Sequence, residues 1–259
     1  MVKIYYFSAT GNSLWSAKKI AQGITAASNE KVELFNIGIE AQKNEIIIEA
    51  DKVIIVFPSY GYGLPLVVRH FVENAVIKTP YIASLVTYGS SPRGTLGGLK
   101  RILKKKGTHK MFFARIPAVE NYLVLFGAPD DKKIKTRCEL QKNATEDAVR
   151  SIIERKENSE SAFAPLSVFV SWLFSLGVKI FYKWYKISDT CNGCNICQKV
   201  CPVDGIIMKD GRPVFSRKCE HCMACINICP QLAIQFGRKK FGTPGYCHPE
   251  IEIADLVRE

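Results

Sequence analysis

Eight of the ten cysteines lie between Cys191 and Cys229 and carry the clearest chemical signal in the sequence. They form two runs of identical spacing, C-x2-C-x2-C-x3-C-P, and the second run begins 28 residues after the first. Thiolates separated by two residues can wrap one face of a cubane, and soft thiolates suit iron–sulfur clusters. The sequence therefore predicts two [4Fe-4S] clusters.

The spacing also predicts which cysteines share a cluster, because the fourth cysteine of each run ligates the other cluster in this arrangement. The first cysteine set comprises Cys191, Cys194, Cys197 and Cys229. The second cysteine set comprises Cys201, Cys219, Cys222 and Cys225. Two zinc sites are the alternative, although zinc usually takes cysteine pairs with a longer gap between them. His221, inside the second run, is expected to flank a cluster or to lie at the surface rather than to act as a ligand.

The loop Ser8-Ala9-Thr10-Gly11-Asn12-Ser13 is a second candidate site, because it lies between a predicted strand and a predicted helix. Backbone N–H groups at a helix N-terminus favour a phosphate, and glycine allows close approach. The sequence contains neither GxGxxG nor GxxxxGK[ST], which weakens a dinucleotide or nucleoside triphosphate interpretation. From these residues alone, a helix N-cap and a phosphate site are equally good interpretations.

The elements that must position this loop alternate between apolar runs and helical patterns. The predicted strands are Lys3–Phe7, Val32–Ile37, Lys52–Phe57, Tyr81–Thr87 and Lys110–Ile116. The predicted helices begin near Leu14 and cover Leu64–Ala75, Thr95–Lys106 and 131–157. Such alternation predicts an α/β fold with a doubly wound, five-stranded parallel sheet.

Length and charge divide the chain into two parts. A chain of 259 residues is long enough for two modest domains, and 47% hydrophobic residues argue against a disordered chain. Residues 1–187 hold 27 basic and 16 acidic residues, whereas residues 188–259 hold 9 and 8. The N-terminus shows no secretory signal, so we expect a cytoplasmic protein whose thiols stay reduced. Cys138 and Cys247 are then expected to be free thiols.

An uncharged run, Ser161–Val178, precedes the cysteines and is followed by Lys179, Lys183 and Lys186. Its serines recur every four residues, which places them on one stripe of a helix. We favour a helix at an interface between domains or within a homodimer. A helix lying on a membrane surface and a membrane span are the alternatives that remain open.

The motif T/S-x-T-G-x-T/S after the first strand resembles the phosphate loop of the flavodoxins, and the resemblance covers about residues 1–150. It implies FMN, with its phosphate in the loop and its ring at the switch point between strands one and three. The implied cofactor-binding residues are Ser8, Ala9, Thr10, Gly11, Asn12, Ser13, Pro58, Ser59, Tyr60, Gly61, Tyr62, Thr87, Tyr88 and Gly89. Tyr60, Tyr62 and Tyr88 are candidates to stack on the flavin, although each alone is equally well a packing or surface aromatic.

Residues 187–240 resemble a two-cluster bacterial ferredoxin, and the whole order resembles the flavodoxin–ferredoxin fusion family of anaerobic bacteria and archaea. Glu120-Asn121-Tyr122 and His248-Pro249-Glu250-Ile251 are weaker matches to that family. The resemblance implies three parts. These are a flavodoxin-like domain over 1–157, an apolar connecting helix over 158–187, and a small α+β two-cluster ferredoxin-like domain with a C-terminal tail over 188–259.

Two functions follow as expectations. The favoured one is an electron carrier that passes single electrons between FMN, the clusters and a redox protein partner. The other is an enzyme whose clusters feed an FMN that reduces a small substrate. Nine cations and no acid between Ala75 and Val119 indicate either a solvated cationic surface or a docking face for an acidic partner. No nucleic-acid partner is expected, since the sequence shows no known binding module.

Overall fold

The computed structural model describes residues 1–159 and 165–257, and its centre is a five-stranded parallel sheet. Strands and helices are numbered here in chain order. Across the sheet, the strands are β2 (Val32–Asn36), β1 (Val2–Tyr6), β4 (Lys52–Pro58), β6 (Ile82–Tyr88) and β7 (Met111–Pro117). This order, second-first-third-fourth-fifth within the sheet, is the flavodoxin-like arrangement. The predicted fold class is confirmed, with strand bounds shifted by one residue or so.

Helices cover both faces of the sheet, as long apolar strands require. The larger ones are α1 (Asn12–Ser28), α3 (Leu66–Asn74), α4 (Thr95–Lys105) and α6 (Asp131–Ile153). Short helices are α2 (Ile37–Glu40) and α5 (Leu123–Phe126). Apolar residues of α1 and α6 pack on one face, and those of α3 and α4 pack on the other. The second of these cores continues without a break into the cysteine-rich part of the chain.

A small parallel pair, β3 (Ile47–Glu49) with β5 (Val76–Lys78), lies outside the main sheet and was not predicted. Each strand has three residues, and burial alternates along β3. A run this short gives too little periodicity to be distinguished from a loop.

The cysteine-rich part is a small α+β unit. Two antiparallel pairs form it, β8 (Tyr185–Ile187) with β11 (Ile234–Phe236), and β9 (Ile206–Lys209) with β10 (Arg212–Phe215). Its helices are the short α8 (Ile196–Lys199) and α9 (Ala224–Ile228), and α10 (Ile253–Leu256) lies in the tail. The tail, after Phe241, returns to the first domain.

The apolar run before the cysteines forms α7 (Pro165–Phe181), followed by a 3-10 turn over Tyr182–Trp184. The predicted residues 161–164 of this run lie outside the described residues. Leu166–Trp184 is the one stretch of the described chain that is long and apolar enough to cross a membrane, with a mean hydropathy of 1.3. Ser167, Ser171 and Val178 face the protein, whereas most other α7 side chains face solvent.

Candidate functional site

The structure brings the run cysteines together in two groups. The residues of the first cysteine set, Cys191, Cys194, Cys197 and Cys229, line one small cavity. In the second set, Cys201 and Cys219 lie close enough to Cys222 and Cys225 for their charges to raise the pKa of both thiols, after the larger effect of burial. Burial disfavours the charged thiolate, so these thiols ionise only when a positive centre lies beside them. The core of an iron–sulfur cluster is such a centre.

The internal repeat is visible in the backbone as well as in the cysteine spacing. Residues 28 positions apart share left-handed conformations: Gly193 (φ 72°) and His221 (φ 52°), Asn195 (64°) and Met223 (65°), Asp204 (51°) and Leu232 (50°). The N–H of Gly205 points at Cys201 Sγ (3.1 Å), and the N–H of Ala233 points at Cys229 Sγ (3.4 Å). Each fourth cysteine of a run therefore receives the same kind of N–H···S bond, which stabilises a thiolate ligand.

A cavity of about 360 Å³ lies at the carboxyl ends of β1, β4, β6 and β7, and we call it the loop cavity. All fourteen residues predicted from the flavodoxin resemblance line it except Gly11. Further lining residues are Ser90, Ser91, Ala118, Val119, Glu120, Asn121, Tyr122, Leu125, Phe126, Val170, Phe174, His221 and Cys222. Cys222 belongs to the second cysteine set, so the loop cavity and the cysteine-rich unit share a wall.

Gly11 turns away from the cavity because the C-terminal tail packs behind it. Its φ is 96°, and a Cβ added there would lie 2.9 Å from His248 Cβ and 3.1 Å from Ile251 Cβ. The N–H of His248 donates to the carbonyl of Thr10 (2.8 Å), and the hydroxyl of Tyr246 donates to Asn12 Oδ1 (2.8 Å). The tail thus fixes the Ser8–Ser13 loop on the side that faces away from the loop cavity.

Side chains around the loop cavity hydrogen bond the Ser8–Ser13 loop on the side that faces the cavity. Ser13 Oγ lies 2.8 Å from Thr87 Oγ1, and Asn121 Nδ2 donates to Thr10 Oγ1 (2.8 Å). Gly11 provides no side-chain cap to α1, so the first N–H groups of that helix remain available to a bound anion. The hydroxyl of Tyr60 is buried and has no hydrogen-bond partner among the described residues, which is a polar atom that a bound ligand can satisfy.

Helix α7 closes one side of the loop cavity. Its Ser171 and Phe174 lie so close to Gly63 and Gly61 that an added Cβ would meet Ser171 Oγ at 1.9 Å and Phe174 Cγ at 2.5 Å. Glycine is required at both positions by this close approach. The serine stripe predicted from the sequence therefore faces inward, against the loop that follows β4.

Glu220 and His221, the two residues between Cys219 and Cys222, bind the cysteine-rich unit to the first domain. The carboxylate of Glu220 is buried and accepts the N–H groups of Leu66 (2.9 Å) and Val67 (2.7 Å), so it caps α3 from outside the first domain. His221 is only 2% exposed. Of the two locations expected for His221, the surface is wrong and the flank of the second cysteine set is right.

His221 is the centre of a hydrogen-bond chain from Tyr122, at the loop cavity, to Tyr185, near Cys219. Its Nδ1 lies 2.9 Å from Tyr185 Oη, and its Nε2 lies 3.0 Å from Tyr122 Oη. Tyr185 also lies near Cys219: burial raises the pKa of that thiol, and the nearby phenol opposes the rise by favouring the thiolate. Burial lowers the pKa of His221 to about 3, so the ring is neutral and carries one N–H. A neutral ring donates through one nitrogen and accepts at the other, so His221 links the two phenols through one bond of each kind.

Sequence reasoning missed three parts of this arrangement: the Glu220 cap, the His221 chain and the backing of the Ser8–Ser13 loop by the tail. The cap and the chain join residues about 35 to 155 positions apart, and such pairs leave no local pattern. One signal was available for His221. The equivalent position of the first run is Gly193, so the second run carries a polar side chain where the first has none.

Comparisons with known proteins gave one family match and similarities to solved structures. Residues 183–230 match the 4Fe-4S dicluster domain family. Among solved structures, the azoreductase from Bacillus anthracis strain Sterne is 15% identical with a TM-score of 0.41, and the match covers 60% of this chain and 100% of that one. Megasphaera elsdenii flavodoxin is 21% identical with a TM-score of 0.36, over 56% and 99% of the two chains. The search of curated proteins gave no match.

The strand order of the first domain and the dicluster match of the second point to the same architecture. The resemblance stated from the sequence is thereby confirmed at the level of domains. The chain joins a domain of flavodoxin-like fold to a cysteine-rich unit that matches the 4Fe-4S dicluster domain family over residues 183–230.

Proposed function

We propose that this chain is an electron-transfer protein that binds FMN in the loop cavity and two [4Fe-4S] clusters on the two cysteine sets. One observation carries the proposal: Cys222 lines the same cavity as the Ser8–Ser13 loop. FMN exchanges one or two electrons and each cluster exchanges one, so the pair connects two-electron and one-electron partners. A shared wall keeps the path between the two cofactors short.

The residues of the loop cavity support FMN as its occupant. The Ser8–Ser13 loop offers backbone N–H groups and hydroxyls to a phosphate at the positive end of α1. Tyr62 and Tyr88 border the cavity from two different loops and can pack against a planar ring. Arg93 Cζ lies over the Tyr62 ring, 5.3 Å from its centroid, and this cation–π contact helps to hold the ring in place.

The size of the loop cavity favours a carrier over a reductase of a small substrate. Ligand sites generally measure about 300 to 1,000 Å³, and about 360 Å³ is near the lower end of that range. An FMN would fill this cavity and leave little room for a second molecule above its ring. The physiological partner is then expected to be another redox protein in the cytoplasm, docked at the protein surface.

Anaerobic reconstitution followed by metal, sulfide and flavin analysis tests the cofactors. About eight irons, eight sulfides and one FMN per chain are expected. Zinc without sulfide would overturn the cluster assignment. Failure of the reconstituted chain to retain FMN when Ser8–Ser13 is intact would overturn the flavin assignment.

Rapid mixing with a one-electron reductant tests the path between cofactors. We expect the flavin of the intact chain to be reduced at a rate that does not depend on protein concentration. The control is a mixture of chains stripped of FMN and chains stripped of clusters, in which transfer must occur between molecules. Equal rates in the intact chain and the mixture would contradict a path through the wall at Cys222.

A further inference from the structure

Helix α7 presents a large apolar surface to solvent. The exposed side chains on it and on the following turn are Leu166, Val168, Phe169, Trp172, Leu173, Leu176, Ile180 and Trp184. Leu166 is 71% exposed and Trp172 is 56% exposed. Proteins that work in water seldom expose a contiguous apolar surface of this kind unless it meets a partner or a membrane. We call these eight residues the α7 face.

The same helix is anchored to the protein by its opposite side. Ser167, Ser171 and Val178 are buried, and Ser171 and Phe174 pack on the loop after β4. A helix held in this way cannot be surrounded by lipid, so the α7 face can enter only the boundary layer of a bilayer. Two further apolar residues, Leu125 (72% exposed) and Phe126 (51%), line the loop cavity together with α7.

Cations surround the α7 face and indicate what covers it. Lys179, Lys183 and Lys186 are exposed at the end of α7 and in the chain that follows. Arg238, Lys239 and Lys240 come next to Gly237, whose N–H donates to the carbonyl of Trp184 (2.8 Å). Lys239 also reaches the carbonyl of Val124 in α5 (2.7 Å), so this basic loop lies between the end of α7 and α5.

No acidic residue opposes these six cations in the segments that carry them. Residues 165–188, 232–249 and 121–128 contain no Asp or Glu. Helices that lie in a membrane interface combine an apolar face bearing Trp, Phe and Leu with flanking Lys and Arg, which attract anionic headgroups. Trp172 and Trp184 add amphipathic rings of the kind enriched at headgroup level.

We propose that the α7 face binds the surface of an anionic phospholipid bilayer, with its apolar side chains in the headgroup boundary and the surrounding cations on the lipid phosphates. This inference is independent of the cofactor assignment. It also places Leu125 and Phe126, at the border of the loop cavity, towards the lipid side of the molecule.

Vesicle co-sedimentation of the full chain, loaded with its clusters, tests the proposal. The probes are vesicles of phosphatidylcholine alone and of phosphatidylcholine with phosphatidylglycerol in equal parts. We expect binding to the anionic vesicles only, release by high salt, and a blue shift of tryptophan fluorescence on binding. The double variant K179E/K183E should bind at least about tenfold more weakly. The matched control K104E/K105E, which reverses two exposed lysines of α4, should bind like the unchanged chain.

Substitutions of apolar residues distinguish binding through the α7 face from non-specific hydrophobic binding. Phe169→Ser with Leu173→Ser should abolish binding, and both residues are exposed, so the cluster absorbance and the circular dichroism should be unchanged. Ile47→Ser with Ile207→Ser, equally exposed apolar residues elsewhere, should leave binding intact. The proposal would be overturned if the chain bound neither kind of vesicle, or bound neutral and anionic vesicles equally. It would also be overturned if only detergent released the chain from the vesicles. A dimer in solution that the Phe169→Ser, Leu173→Ser variant converts to a monomer would likewise contradict it.

Discussion

Tyr185 Oη lies 2.9 Å from His221 Nδ1 and near Cys219, whose thiolate it favours, so one phenol connects the wall of the loop cavity to a predicted cluster ligand. No described residue makes an equivalent histidine–phenol link beside the first cysteine set, because the position that corresponds to His221 is Gly193 in the first run. The two halves of the dicluster domain are therefore alike in backbone and different in the polar side chains that lie near their sulfurs.

Replacement of Tyr185 by Phe should lower the reduction potential of one cluster only. A hydroxyl dipole near a ligand sulfur stabilises the more negative, reduced cluster, and we expect its loss to change the redox equilibrium by up to about tenfold, or about 60 mV for one electron. Redox titration followed by electron paramagnetic resonance measures both clusters in one sample. Tyr122→Phe is the control, because it leaves the Tyr185 hydroxyl near Cys219 in place. Equal shifts of both clusters would contradict this account.

Replacement of Tyr246 by Phe should weaken flavin binding although Tyr246 does not line the loop cavity. The change removes the hydrogen bond to Asn12 Oδ1 and leaves that buried oxygen without its donor, which costs about 1 to 2 kcal/mol. We expect about a tenfold rise in the Kd for FMN, measured by fluorescence titration. Tyr81→Phe removes a comparable bond, to the carbonyl of Lys156, at the opposite end of the sheet. That control should lose stability and keep its flavin affinity.

Replacement of Gly11 by Ala should both strain the loop and push the tail away. A φ of 96° is unfavourable for alanine, and the new Cβ would lie 2.9 Å from His248 Cβ. Together these effects should cost about 2 kcal/mol and lower the temperature at which FMN is released. Gly98→Ala is the matched control, since nothing lies within 4 Å of a Cβ added at that helical position. It should be neutral or stabilising by about 0.5 kcal/mol. Similar losses in both variants would argue against the role of the tail.

The parts that the sequence predicted are those with a local pattern. The strand runs, the Ser8–Ser13 loop and the cysteine spacing each repeat at intervals that the backbone geometry dictates. Val53–Phe57, for example, is an unbroken apolar run, and all five residues are fully buried in β4. Periodicity of this kind can be interpreted without knowing what lies across the fold.

The parts that it missed depend on how the domains pack. In the sequence, Glu220 is an ordinary charged residue between two cysteines. Only the packing of the two domains shows that it lies at the N-terminus of α3. Tyr246 and Asn12 are 234 positions apart, so no window of the sequence contains both. The serine stripe of α7 was visible in the sequence, but the surface on which it packs, the loop after β4, is recognised only from contacts.

Replacement of Glu220 by Ala should loosen the contact between the two domains. It removes the acceptor for two N–H groups at the start of α3 and is expected to cost about 1 to 2 kcal/mol. Glu220→Gln, which keeps an acceptor oxygen, should retain part of that stability. Flavin reduction by the clusters should slow in Glu220→Ala, as measured by rapid mixing. Asp130→Ala removes a comparable cap on α6 within the first domain, so it should lower stability and leave that rate unchanged.

Acidification should release FMN through His248. This ring stacks on Trp15, 5.0 Å away, and burial lowers its pKa to about 4, with Lys19 lowering it further and Glu250 opposing. Cys138 is its other titratable neighbour. A histidine with a depressed pKa in the packed state takes up its proton when the tail detaches. Packing of the tail is therefore complete above about pH 6.5 and weakens as the pH falls towards 4. We expect FMN affinity to fall up to about tenfold per pH unit in that window, measured by recovery of flavin fluorescence.

His248→Phe keeps a stacking ring without a titrating group and should remove most of this pH dependence. His109→Phe, at an exposed position, should retain it, and an unchanged pH profile in His248→Phe would show that another group controls release.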